Sequence, residues 1–282
     1  LEKLLSARFI SGELSPHKAI QMFKNIGYSA LLGNPLSALT QLQDISFSLY
    51  RYGLYDTLKA VLTKKKINSV AFGLKALLTE LESSPMKTAH FMQESLKWGG
   101  FSKMDLFSKD IILNASLSKY QRLALSNKGI EKIARKYKKA YGEEFPLLLA
   151  DLKSKQMTPR VKSMLWGELS DLQPISLSEM PTAYLNNPNA RVFYMLKSFT
   201  VKQLNFMRKE IFSLYKTNPI EATRKLLAFS TLFIGAGMGV DLLKRQILHL
   251  GEYFRGEEIP DLTSEEFTDL AISNIFKGFA AT

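Results

Sequence analysis

The chain contains no cysteine, which excludes disulfide staples and thiolate chemistry and leaves the redox compartment open. Histidine is nearly absent: His17, His90 and His249 each stand without a second ligand at helical spacing, so no metal site is expected. Catalytic signatures are missing as well. There is no Gly-x-Ser-x-Gly turn, no His-Glu-x-x-His pair and no Walker phosphate loop. The carboxylate pairs Glu143-Glu144, Glu257-Glu258 and Glu265-Glu266 are adjacent in sequence, so a helix points each pair apart instead of at one substrate atom. We therefore expect no catalytic residue and no cofactor. Sustained alternation of β-branched residues is also lacking, and the expected fold is all-α: an irregular multi-helix bundle with a long C-terminal helical pair. A signal-peptide pattern is absent and the chain opens on Leu1, which reads as a processed piece or the ordered part of a longer protein.

What is present is apolar and basic. With 282 residues, 46% of them hydrophobic, the chain can bury a sizeable core in one or two domains. The net charge of +12 is uneven. Up to Gly251 there are 36 Lys+Arg against 19 Asp+Glu, and from Glu252 onward two against seven. A basic body favours polyanions, and an acidic tail can lie against it. Four segments follow: a helical body over 1–171, an extended connector over 172–186, a helical pair over 187–256 and an acidic tail over 257–282.

Along the body, Ser15-Pro16 opens a helix that the spacing places within 9–28, and Gly33-Asn34-Pro35 ends one helix and restarts another. A single helix is expected over 36–62, with Gln41, Gln43, Asp44, Ser46 and Ser48 crowding its apolar positions, so a neighbour must satisfy some of them. Helices over 70–81 and 86–98 follow, the latter stopping at Gly99-Gly100. Ser102 and Asp105 have the spacing of a capping box. The cleanest amphipathic segment is 127–142, where Ile130, Ile133, Ala134, Tyr137, Ala140 and Tyr141 share one face. Its other face carries Lys128, Lys132, Arg135, Lys136 and Lys139. Of these we take Lys132, Arg135, Lys136 and Lys139 as candidate contacts to a DNA backbone, against the alternative of a solvated face. Short helices over 145–156 and 158–169 complete the body.

Beyond the connector, apolar residues recur at helical spacing from Val192 to Tyr215, and Asn218-Pro219 caps and starts a second helix with Glu221 in its first turn. From Leu226 to Val240 no charged residue occurs. That run would be about 22 Å long as a helix, short of the roughly 30 Å hydrocarbon core of a bilayer. Three readings stand: a buried core helix, a helix that enters lipid in a second state, or a membrane span that must accommodate Asp241. Leu226, Phe229, Leu232, Phe233 and Gly237 are the candidate membrane or partner-helix residues, because small residues let another helix approach closely. Gly235-Ala-Gly237-Met-Gly239 is not read as a dinucleotide loop, since no strand precedes it.

Two stretches carry a resemblance. Tyr28-Ser-Ala-Leu-Leu-Gly-Asn-Pro-Leu-Ser-Ala-Leu-Thr-Gln-Leu and Arg191-Val-Phe-Tyr-Met-Leu-Lys-Ser-Phe-Thr-Val-Lys-Gln-Leu-Asn-Phe-Met-Arg208, followed by a basic pair and an apolar helix, resemble a helical module of very large phage proteins. These are the large polyvalent proteins and the internal virion, or DNA-ejection, proteins of short-tailed phages. The similarity spans about 27–256. It implies a structural protein carried inside the capsid or at the portal and tail, delivered with the genome into the host envelope. The implied partners are further copies of itself or sister ejection, portal and tail proteins, with DNA and the bacterial envelope membrane in reach. A second class is a helical accessory domain of a virion-carried enzyme, an RNA polymerase or a lytic transglycosylase, whose active site lies elsewhere in the chain.

Overall fold

In the computed structural model, residues 17–33, 35–63, 67–69, 87–173, 197–249, 255 and 263–279 are described. Of the described residues 88% are helical and none is in a strand, so the fold is all-α.

Helix α1 (Lys18–Leu32) is capped by His17, whose Nδ1 accepts from the Ala19 amide at 3.4 Å. Ser15 and Pro16 lie outside the described residues. Helix α2 (Pro35–Ala38) starts at the proline, as expected. The single helix expected over 36–62 is instead three pieces: a 3-10 segment, Leu39–Asp44, then α3 (Ile45–Tyr52) and α4 (Leu54–Leu62). The chain turns at Gly53 with φ 91°, a backbone that a residue bearing a Cβ rarely adopts. The crowded polar residues explain the other departure. A 3-10 segment sets positions three apart on one edge, and here Gln41 and Asp44 both go into the interior.

Helix α5 (Lys87–Trp98) packs on α1 and stops at the two glycines; the helix expected over 70–81 lies outside the described residues. Ser102 and Asp105 form no capping box. Gly100, with φ 76°, is the N-cap of α6 (Phe101–Leu123), and Asp105 is buried one turn inside it. Residues 111–117 of α6 are buried without interruption, because neighbours close on it from every side. It is the axis of the bundle. Asn114 fixes residues 67–69 against it, accepting from the Ile67 amide at 3.1 Å and donating to the Ile67 carbonyl at 2.8 Å.

Helices α7 (Asn127–Tyr141), α8 (Phe145–Ser154) and α9 (Pro159–Leu172) follow the expected spacing, with Ser126 and Thr158 as side-chain N-caps. The 187–196 part of the aromatic segment lies outside the described residues, as does all of the connector except Leu172 and Gln173. Helix α10 (Lys197–Glu210) ends earlier than the spacing predicts. Ile211, buried and outside helical geometry at φ −121°, breaks it, and a 3-10 segment, Phe212–Lys216, carries the chain into the turn. Helix α11 (Pro219–Leu248) starts where expected, with Asn218 Oδ1 accepting from the Glu221 amide at 3.1 Å. Helix α12 (Ser264–Phe279) brings part of the acidic tail onto α11, where Glu266 lies 3.3 Å from Arg245.

The body and the C-terminal pair share one hydrophobic core. Phe47 and Tyr50 of α3 meet Phe206 of α10 and Phe229 of α11 with ring centroids 5.4 to 5.6 Å apart. Ile111, Leu165 and Phe233 belong to the same buried cluster. Burial of such side chains stabilises the fold by about 1.5–3 kcal/mol each before entropic costs.

Candidate functional site

The most concentrated chemistry in the described residues surrounds Glu168, a fully buried carboxylate on α9. Its Oε1 accepts from Tyr120 Oη at 2.6 Å, from Lys136 Nζ at 2.6 Å and from Tyr137 Oη. Its Oε2 accepts from Tyr52 Oη at 3.0 Å and lies 3.0 Å from Arg51 Nε. Four helices therefore converge on one side chain: α3, α6, α7 and α9. Asp171, one turn further along α9, takes the rest of the cationic charge, with Arg51 at 2.8 Å, Lys209 at 3.4 Å and Lys136 at 3.8 Å.

The electrostatics follow from this geometry. Burial pushes the Glu168 carboxyl up, but Arg51 and Lys136 outweigh it and hold the group below the usual carboxylate range. Asp171 is held low in the same way, chiefly by Arg51 against its own burial. Burial and then the Glu168 charge push the phenols of Tyr52, Tyr120 and Tyr137 up, so they remain donors. A carboxylate offers about four lone-pair positions, and five donors already converge on this one. Glu168 is saturated and has no position left for a substrate. The arrangement is an ion-pair and hydrogen-bond lock on the bundle.

Sequence reasoning missed this lock, although a signal existed. Val161, Leu165, Glu168 and Leu172 recur at helical spacing, which places an acid where the pattern calls for an apolar residue. Lys136 was assigned to the cationic face and is redirected by the structure: it sits at the edge of that face and is paired with Glu168. All six cations of α7 are exposed, and Lys136 differs from Lys128, Lys132, Arg135, Lys138 and Lys139 in its pairing with the buried Glu168. Lys132, Arg135 and Lys139 thus remain as candidate phosphate contacts.

Of the candidate membrane residues on α11, Phe229, Phe233 and Gly237 are buried in the bundle, and Leu226 and Leu232 are half-buried. Leu226 packs against the same core as Phe229 and Phe233. Gly237 accepts the closest approach: Gln43 Nε2 would stand 2.8 Å from a Cβ added there, and Asn274 Oδ1 of α12 would collide with it. The other side of the helix is open. Leu227, Ala228, Thr231 and Leu243 are exposed there, and a Cβ on Gly235 or Gly239 would meet nothing within 4 Å, whereas Ile247 and Leu248 are exposed at the C-terminal end of the helix. One helix among the described residues, α11, is long and apolar enough to cross a membrane, yet only 22% of its most apolar 18-residue stretch is buried.

A shallow groove between α4 and α6 is lined by Lys59, Thr63, Asn114, Leu117, Ser118 and Gln121, without an acid-base pair. Among the described residues no three His, Cys, Asp or Glu side chains gather as a metal site. No protein-family model matches the chain, and neither a curated protein nor a solved structure matches it.

Proposed function

We propose that the chain is a structural module of a phage internal virion protein, delivered with the genome and helping to form or scaffold the ejection conduit. The observation that carries this reading is the outer face of α11. That helix is anchored to the bundle by Phe229, Phe233 and Gly237 and leaves Leu227, Ala228, Gly235, Gly239 and Leu243 exposed along its opposite side. An uncharged exposed strip along a buried-core helix is a place that a partner surface can cover.

The occupant that fits is envelope lipid. The charge-free run alone is shorter than a bilayer's hydrocarbon core, although the whole of α11 is long enough to cross one; Arg224 and Lys225 precede the run, and Asp241, Lys244 and Arg245 follow it. Such a helix suits the headgroup boundary, with its apolar side in the acyl region and its cations beside anionic lipid. The exposed cations of α7 supply a second surface, suited to the backbone of the transported DNA. The resemblance of 27–256 to ejection-protein modules supports the same reading.

The test is location. Purified virions that encode the chain should contain it before genome release, emptied particles should have lost it, and the host envelope fraction should have gained it. Its absence from intact virions overturns the proposal.

A further inference from the structure

Beneath α11 lies a second polar cluster, separate from the Glu168 lock. Asp44, the last residue of the 3-10 segment Leu39–Asp44, and Asp105 of α6 are 7% and 0% exposed. The cation among them is Lys109, whose Nζ lies 2.6 Å from Asp105 Oδ2. Gln173 Nε2 donates to Asp44 Oδ2 at 2.8 Å. With both carboxyls ionised, two negative charges face one ammonium away from water, an arrangement that costs several kcal/mol for the unmatched ion. The hydrogen-bond inventory points the same way. Asp105 Oδ1, Gln41 Oε1 and Gln173 Oε1 are buried acceptors without a donor among the described residues. Against these three acceptors stands one unpartnered hydroxyl of the neighbouring residues, Ser46 Oγ, and a carboxylic O–H adds a further donor.

The charges acting on Asp44 both come from α6, namely Asp105 and Lys109. The other elements packed around it present uncharged groups: Ser108 of α6 donates to the Gln41 carbonyl at 2.7 Å, and α3 buries Ser46, Phe47 and Ser48. The buried residues of α11 are Ala222, Phe229, Phe233, Gly237 and Val240, none of which titrates. Burial first, and Asp105 second, raise the Asp44 carboxyl to about 7, with Gln173 and Lys109 opposing.

Asp44 is tied to α11 through its neighbour. Gln43 Nε2 donates to the Phe233 carbonyl at 3.4 Å and lies over Gly237. Six residues is long for a 3-10 stretch, and such stretches often mark hinges.

We propose that Asp44 holds a proton in the folded chain, and that this proton sets how firmly the 39–44 segment grips α11. Loss of the proton leaves an unmatched buried charge. Moving Asp44 toward water relieves it and draws Gln43 away from Phe233. The device goes beyond the conduit reading and does not depend on lipid contact.

Hydrogen exchange on the whole chain tests it, with rates corrected for the intrinsic pH dependence. Amides of residues 233–240 should lose tenfold or more of their protection between pH 6 and pH 8.5 in the wild type. Asp44→Asn should abolish that change and stay protected at both values, while the amides of α7 should not respond in either protein. A wild-type α11 whose protection ignores pH, or an Asp44→Asn protein with the same response, overturns the proposal. Should Asp44→Asn fail to fold, carbon NMR of the Asp44 carboxyl in the wild type decides. A midpoint near pH 7 supports the proton on Asp44, and one near pH 4 refutes it.

Discussion

Arg51 Nε lies 3.0 Å from Glu168 Oε2, with side chains 8% and 0% exposed, so α3 and α9 are joined by an ion pair held out of water. Such a pair gives little net stability compared with an apolar contact, yet it is costly to break from one side, because the remaining charge stays buried. Three tyrosine hydroxyls and Lys136 on the same carboxylate fix its position in the bundle. What the network supplies is a definite mutual arrangement of α3, α6, α7 and α9.

Glu168→Gln should therefore destabilise the chain by about 3–5 kcal/mol, read from the urea midpoint. Its pH dependence has a definite sign. Glu168 and Asp171 are held below their ordinary carboxylate values in the fold. The stability they contribute is fully present above those ordinary values and is lost as pH falls through the folded ones. Wild-type stability should drop on acidification below about pH 4, and Glu168→Gln should show a shallower drop. Equal slopes for the two proteins would remove Glu168 from the account.

Much of the helix pattern was legible from local chemistry. Pro35, Pro159 and Pro219 stand at the starts of α2, α9 and α11, and Ser126 caps α7, because these signals act within one turn. The breaks inside apolar runs were not legible. Gly53 and Ile211 lie inside helically spaced apolar runs, so the spacing does not mark them as ends, although Gly53 turns at φ 91° and Ile211 is buried at φ −121°. The sidedness of α11 was hidden for a related reason. A charge-free run has no polar face to orient it, so only packing against Phe47 and Asn274 decides which residues turn inward. Glu168 carried a readable signal as an acid on an apolar stripe, whereas its three tyrosine partners come from helices whose approach no spacing rule gives.

The cationic face of α7 separates into two kinds of residue. Replacing Lys132, Arg135 and Lys139 with Gln should leave the thermal midpoint nearly unchanged, since all three are exposed. If these side chains neutralise DNA phosphates, each one lost should flatten the plot of log affinity against log salt by about 0.9. Lys136→Gln should instead lower stability, because it removes a counter-charge of Glu168. A triple variant with an unaltered salt slope would assign the face to solvent.

Gly237 and Gly235 lie two residues apart and should respond oppositely to the same substitution. Gly237→Leu drives a side chain into Asn274, which donates to Asp241 at 2.8 Å, and into Gln43. Overpacking of this kind costs about 1–3 kcal/mol and should also loosen α12 from α11. Gly235→Leu faces open space and exchanges a poor helix former for a good one, so it should be neutral or stabilising by a fraction of a kcal/mol. Thermal melts of the two variants give the comparison, and equal destabilisation would mean that Gly235 is covered.

Lipid contact by α11 makes the sharpest demand on sidedness. If the outer face enters the acyl boundary, Leu227→Lys and Leu243→Lys should leave the far-UV spectrum and thermal midpoint close to wild type, since both positions are exposed. Each should nevertheless weaken flotation with vesicles rich in anionic lipid, because a charged head replaces apolar area at the point of insertion. Phe233→Lys gives the opposite pattern: it unfolds the core at a residue only 6% exposed and reports on packing alone. Zwitterionic vesicles should bind the wild type less than anionic ones, as Arg224, Lys225, Lys244 and Arg245 lose their partners. Wild-type chain that stays with the unbound fraction for both vesicle types would remove lipid as the occupant. Concentration-dependent self-association abolished by Leu227→Lys would then give the face to a second copy of the chain.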